Sequence, residues 1–218
     1  AVIIQNQVAS ESAGVIFTLN PLNNCYDEAV INANFGLGES VVGGQVTPDQ
    51  YIIDKTNLKI LEKKLGTKES TIILSKTGGV IAEKIIGSEQ FCLSDNQIME
   101  ITNMAKKIET VFNKPMDLEW TFANNNLFLL QARPITSWIP LSEDMQTKPG
   151  EKRNLYLDSF LTQQGNQNAF SILGLEIYEI AQKSAFLHSL GSDKIIGKNG
   201  VAFNSGGRSY MHLSNYFK

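Results

Sequence analysis

The chain has 218 residues, 42% of them hydrophobic and 19% charged, and 19 basic against 22 acidic side chains leave a formal net charge of −3. This is the composition of an ordinary soluble globular protein with room for one generous domain, or for one domain and part of another. Near-neutral charge lacks the basic footprint of a nucleic-acid binder, and no apolar run reaches the ~18 residues of a membrane span.

The chain opens at Ala1 directly on Val2-Ile3-Ile4, as though in mid-strand, so a longer polypeptide is expected around it. Short β-branched stretches follow: Val2 to Val8, Gly14 to Leu19, Ala29 to Asn34, Tyr51 to Asp54, Lys59 to Leu65, Thr71 to Ser75 and Val80 to Ile86. Turn clusters such as Asn20-Pro21-Leu22-Asn23-Asn24 and Gly43-Gly44 separate them, which predicts a largely antiparallel sheet. Ser94-Asp95-Asn96-Gln97 has capping-box form. Ile98, Ile101, Met104, Ala105, Ile108, Val111 and Phe112 follow at helical spacing, predicting a helix lying on that sheet. Beyond Pro134 the texture changes. Trp138 to Arg153 reads as a linker, and Ala169 to Leu190 as a helix with Ile172, Leu175, Ile177, Ile180 and Ala181 as candidate core positions. Cys25 and Cys92 are the only cysteines. Far apart and without CxxC spacing, they offer neither a disulfide framework nor a zinc cluster, and a reducing, cytoplasmic compartment is expected.

The segment Met116 to Pro134 places two alternating runs around Asn124-Asn125-Asn126, a hairpin pattern. A turn centred on Asn125 sets Glu119 opposite Gln131 and Asp117 opposite Arg133 on one face. Met116, Leu118, Trp120, Phe122, Phe128, Leu130 and Ala132 then share the other. A register shifted by one would set Glu119 against Leu130 and mix the two faces, which burial disfavours. Pattern alone leaves two readings of the polar face. It is either a solvated surface with an Asp117–Arg133 pair, or a site where Glu119 and the Gln131 oxygen ligate a hard cation while Arg133 grips phosphate.

Three ordered motifs carry a resemblance that implies the second. Asp117-Leu118-Glu119-Trp120 with Leu129-Leu130-Gln131-Ala132-Arg133-Pro134-Ile135-Thr136 resembles the end of the nucleotide-binding domain of the phosphoenolpyruvate synthase, pyruvate phosphate dikinase and rifamycin phosphotransferase family. Ser12-Ala13-Gly14-Val15-Ile16-Phe17-Thr18-Leu19-Asn20-Pro21 and Asn34-Phe35-Gly36-Leu37-Gly38-Glu39-Ser40-Val41-Val42-Gly43-Gly44, continuing into Val46-Thr47-Pro48-Asp49, are similar to two further stretches of that family. The resemblance implies an α+β fold. Residues 1–137 would be an ATP-grasp C-terminal lobe, mainly antiparallel sheet with packed helices, 138–153 a linker, and 154–218 the beginning of a mostly helical second domain. It implies ATP and Mg²⁺ as cofactors, with Glu119 and Gln131 at the metal and Arg133 as the phosphate-gripping catalytic residue. Gln5, Gln7, Val8 and, more loosely, Glu11 would lie near adenine and ribose.

The implied partners are the other ATP-grasp lobe and a swivelling domain whose histidine carries the phosphoryl group to pyruvate or to a rifamycin-like acceptor. Neither nucleic acid nor membrane is among them. The carrier histidine's TxGGxxSHxA-type motif is absent from this sequence, so the 218 residues alone are expected not to turn over. A non-catalytic nucleotide-binding or interaction module is the reading from another class. Thr77-Gly78-Gly79-Val80 imitates the front of the carrier motif and reads as a turn. His188 and His212 read as structural. Gly36-Leu37-Gly38 lacks the third glycine of a dinucleotide fingerprint, since Val41 takes that place. Gly197 to Gly207 lacks the ending of a phosphate loop. Glu39 stands open between a site residue and a turn cap.

Overall fold

A computed structural model of the chain describes residues 5–75, 77–84, 89–135, 141–147, 151–159, 169–191, 197 and 200–217. The chain divides into two compact units, Ala1–Trp138 and Ile139–Lys218.

In the first unit, β1 (Ser12–Phe17), β2 (Glu28–Phe35), the short helix α1 (Glu39–Val42), β3 (Asp49–Asp54), β4 (Lys59–Lys64), β5 (Ser70–Leu74), β6 (Val80–Lys84), α2 (Asp95–Phe112), β7 (Met116–Ala123) and β8 (Asn126–Pro134) follow in that order. Six strands form one sheet, β4-β3-β2-β1-β7-β8, and β5-β6 is a separate hairpin. Every strand pair in the sheet is antiparallel, so the architecture is α+β, as the sequence predicts.

Residues 5–10 differ from expectation: they carry no regular structure, and positions 1–4 of the expected first strand lie outside the described residues. The 85–86 end of the last expected strand does too.

The sheet has two chemically different faces. Ile16, Ile31, Met116, Leu118, Trp120 and Phe122 point to one face, where they pack with Ile98, Ile101 and Ala105 of α2. The capping box that starts α2 is complete: Ser94 Oγ accepts from Gln97 N–H at 3.4 Å, and Gln97 Oε1 accepts from Ser94 N–H at 2.9 Å. Asn113 closes the helix in the left-handed conformation. The apolar stripe is shorter than predicted, because Val111 and Phe112 are 80% and 50% exposed. The last turn of α2 runs past the residues that pack on the sheet.

The other face carries Ala13, Val15, Asn32, Asn34, Glu119 and Thr121 in register across β1, β2 and β7. A Cβ on Gly38, which precedes α1, would lie 3.6 Å from Ala13 Cβ, so α1 covers this face as α2 covers the first.

The second unit contains β9 (Tyr156–Asp158), α3 (Ile172–Leu190), β10 (Ala202–Ser205), β11 (Arg208–His212) and α4 (Leu213–Tyr216). Its strands form a three-stranded antiparallel sheet, β10-β11-β9, two of them in the Val201 to Lys218 stretch whose sequence reads as short strands, beside the expected helix α3. Met145, Phe203 and Tyr210 form its small core with Leu141 and Tyr156. Met145 ends a 3-10 turn at Glu143–Met145, inside the stretch that reads as linker.

The predicted core face of α3 is also overturned. Ile172, Ile177 and Ile180 are 83%, 59% and 69% exposed, and Ala181 is exposed as well, while Leu175 is half-buried. The helix instead turns Gln182 to the sheet, where it bonds to Ser209 and Asn204. Apolar residues occur all round α3, so periodicity could not single out one face. Among the described residues, no helix is long and apolar enough to cross a membrane.

Candidate functional site

Glu119 and Gln131 come together as the sequence predicts, through a device the sequence did not announce. Asp117 pairs with Arg133, Leu118 with Ala132 and Glu119 with Gln131, but Trp120 pairs with Leu129 and Ala123 with Asn126. The turn is therefore Asn124-Asn125, both at positive φ, 51° and 59°. This is the geometry of a two-residue type I′ hairpin. Continued regularly, that turn would set Glu119 against Leu130. A bulge between Glu119 and Trp120 absorbs one extra residue of β8 and restores the polar pairing.

This corrects the apolar set expected on β8. Leu127, Leu129 and Ala132 oppose Phe122, Trp120 and Leu118, whereas Phe128 opposes Thr121.

The bulged Leu130 lines a groove of about 760 Å³ together with Glu119 and Gln131. The groove's other walls are Gln5, Asn6, Gln7, Val8 and Ser10 on one side and Leu37, Gly38, Glu39, Val42, Gly43 and Gln45 on the other. Gln5, Gln7, Val8, Glu119 and Gln131, all expected site residues, thus line one cavity. Glu39, left open between two roles, lines it too. Asn6, Ser10, Leu37, Gly38, Val42, Gly43, Gln45 and Leu130 were not among the expected site residues. The glycine-bounded motif around Glu39 signalled its own wall, but the polar residues 6 and 10 carry no local signal.

Glu11 is not among the lining residues. Its carboxylate accepts from Asn124 N–H at 3.1 Å and braces the hairpin turn.

Arg133, 52% exposed, also stands outside the lining, with Nη2 3.3 Å from Glu119 Oε1 and 3.4 Å from Asp117 Oδ2. Asp117, read from pattern only as a surface partner, is more constrained than that. Its Oδ1 is buried with no partner among the described residues. Burial raises its pKa above the ordinary carboxylate value, against the opposing pull of the Arg133 guanidinium.

The arrangement offers hard oxygen donors from Glu119 and Gln131 on adjacent strands, with one cation shared between two carboxylates beside them. Among the described residues, no three His, Cys, Asp or Glu side chains form a ready-made metal cage.

Of the residues weighed as decoys, Thr77, Gly78, Gly79, His188 and His212 stay outside the groove lining, whereas Leu37 and Gly38 of the Gly36-Leu37-Gly38 run lie in it. Thr77, Gly78 and Gly79 form the β5–β6 turn, the glycines at φ 99° and 78°. His188 is exposed. His212 is buried and stacks on Tyr156 at 4.6 Å.

The sequence profile of the pyruvate phosphate dikinase AMP/ATP-binding domain matches residues 1–154. The probable phosphoenolpyruvate synthase of Methanocaldococcus jannaschii is 41% identical over 63% of the chain and 12% of its own length. The phosphoenolpyruvate synthase of Pyrococcus furiosus is 40% identical over 69% of the chain and 19% of its own length. The rifampicin phosphotransferase of Bacillus cereus is 34% identical over 81% of the chain and 20% of its own length. The chain thus spans no more than a fifth of these relatives. With the match covering the groove and every residue that lines it, the chain belongs to the pyruvate phosphate dikinase AMP/ATP-binding domain family.

Proposed function

We propose that the groove is the nucleotide site of an ATP-dependent phosphotransferase of the dikinase type, and that residues 1–137 are the C-terminal lobe of an ATP-grasp fold. The observation that carries this reading is the Glu119–Gln131 pair on the groove floor, with Arg133 bridging Glu119 to Asp117. Gln5, Gln7 and Val8, on the 5–10 wall of the groove, would meet the base and its sugar. Glu11 would reach the ribose only by releasing Asn124.

Mg²⁺ fits the residues present: the Glu119 carboxylate and the Gln131 carbonyl are hard donors, and the unpartnered Asp117 oxygen beside them leaves negative charge to be met. When bound, the metal would neutralise charge that develops on the phosphates. Arg133, which lies against Glu119 and Asp117, would grip phosphate oxygens in their place and leave Glu119 to hold the metal.

In this reading the phosphoryl group passes to a histidine of a separate swivelling domain and then to pyruvate. A rifamycin-like hydroxyl is the second acceptor, favoured by the 81% of the chain that aligns with the rifampicin phosphotransferase of Bacillus cereus. The 154–218 segment then begins the next domain. The 218 residues by themselves are expected to bind nucleotide weakly at most and not to turn over, so a phosphate-release assay should read background.

Titration calorimetry with Mg-ADP tests the site. Glu119→Ala and Arg133→Ala are each expected to weaken binding about tenfold or more, the loss of one charge-assisted contact. Equal affinity in wild type and both variants would favour a non-catalytic interaction module and overturn the assignment.

A further inference from the structure

Two buried polar side chains on the groove face of the sheet are left over once the nucleotide contacts are assigned. Asn34 on β2 and Thr121 on β7 flank Ala13 of β1 in one row across the sheet, and both are 0% exposed.

Asn34 Nδ2 donates to Ser40 Oγ at 3.1 Å and to Ser70 O at 2.9 Å. Ser40, also 0% exposed, lies in α1 between Glu39 and Val42, which line the groove. Ser70 begins β5, whose Ile72 carbonyl accepts from Leu37 N–H at 2.7 Å on the same wall. Gly36 admits this contact: at φ 73°, a Cβ there would come within 2.4 Å of Ile72 O. On the opposite side, the Thr121 hydroxyl lies 2.6 Å from Ser10 Oγ, which belongs to the 5–10 wall. Asn34 Oδ1 remains buried without a partner among the described residues, an unfavourable feature that an apolar side chain of the same shape would not have.

We infer that Asn34 and Thr121 are positioning residues: each fastens one wall of the groove to the rigid sheet, Asn34 through Ser40 and Thr121 through Ser10, and together they set its width for the nucleotide. The inference rests on the nucleotide reading of the groove. Neither residue touches the ligand, so their effect is on the placement of Glu39 and of the 5–10 segment.

Three variants of the full chain test this: Thr121→Val, nearly isosteric; Ser40→Ala, which removes one acceptor; and Asn34→Leu, which removes both donors and the unmatched oxygen. Amide hydrogen exchange, thermal unfolding and Mg-ADP calorimetry are read on each, with Glu119→Ala as the control for the site.

Exchange is expected to speed about tenfold at residues 37 and 41–45 in Ser40→Ala and Asn34→Leu, and at Glu11, whose N–H is held by Phe122 O next to Ser10, in Thr121→Val, with the α2 amides unchanged. The Mg-ADP dissociation constant should rise about fivefold, as the fraction of molecules with both walls in place falls to about a fifth. Exchange at wild-type rates on both walls would overturn the inference. So would uniformly faster exchange with a lowered midpoint, which marks residues that merely stabilise the sheet. Loosened walls with wild-type affinity, while Glu119→Ala loses binding, would sink the positioning role and leave the nucleotide site standing. Affinity unchanged in Glu119→Ala would remove the nucleotide reading itself.

Discussion

At the scale of single residues, the polar face of the β7–β8 hairpin holds more charge than its surroundings solvate well. Asp117 shows it: its side chain is 22% exposed, one oxygen has no partner among the described residues, and desolvation raises its pKa more than Arg133 lowers it. A carboxyl with a raised folded-state pKa favours the folded state while protonated. That contribution is present below its unfolded value near ~4 and is lost as the pH rises through the raised value. Asp117→Asn should therefore be as stable as wild type or more so at pH 7, by about 1 kcal/mol at most. The gap should close as the pH falls toward ~4. Urea unfolding at the two pH values reads it, and a variant clearly less stable at pH 7 would contradict the burial argument. The sequence showed Asp117 opposite Arg133 correctly. It could not show that one carboxylate oxygen lies out of reach of water, because that depends on what packs above the strand.

At the scale of elements, two demands on the hairpin conflict. The turn prefers Asn124-Asn125 at positive φ, which fixes one register, while burial of Leu118 and Trp120 with Glu119 facing the groove requires the register one residue away. The bulge at Leu130 satisfies both and delivers an apolar side chain to the groove wall. Asn125→Gly should hold or raise stability, since glycine adopts positive φ without steric cost. Asn125→Ala should lose about 1 kcal/mol. Chemical denaturation of the two variants separates them, and equal losses would mean that the turn does not set the register. Helix α2 was legible because its start is local chemistry, a capping box within four residues, and its stripe has one period. α3 was legible as a helix and misread as to its face, for its apolar residues leave the choice to whatever packs against it.

At the scale of the whole molecule, the first unit is joined by a buried ion pair between distant segments. Lys68 meets Asp49 with both side chains fully buried. Asp49 also accepts from the backbone N–H groups of Gly66 and Cys92, each at 2.8 Å. The start of β3, the loop before β5 and the approach to α2 therefore share one carboxylate. Removing only the cation leaves that charge buried, so Lys68→Met should cost about 3–5 kcal/mol, and Lys68→Met with Asp49→Leu should recover part of the loss. Urea unfolding of the single and double variants measures both. A double variant no more stable than the single would refute the assignment of the cost to an uncompensated Asp49.

The sequence by itself determined the strand-rich α+β character of the first unit, the capped α2, the pairing of Glu119 with Gln131 and of Asp117 with Arg133, and the family. Each of these rests on local spacing, on the alternation of apolar and polar residues or on motifs a few residues long. Tertiary structure alone decided the groove. Its walls come from residues 5–10, 37–45 and 119–131, and only the stacking of β1, β2 and β7 brings them to one face of the sheet. It also decided the bulge, the burial of one Asp117 oxygen and the exposed face of α3. The physical reason is common to these outcomes: they depend on which surfaces are shut off from water, and that follows from contacts between segments far apart in the chain.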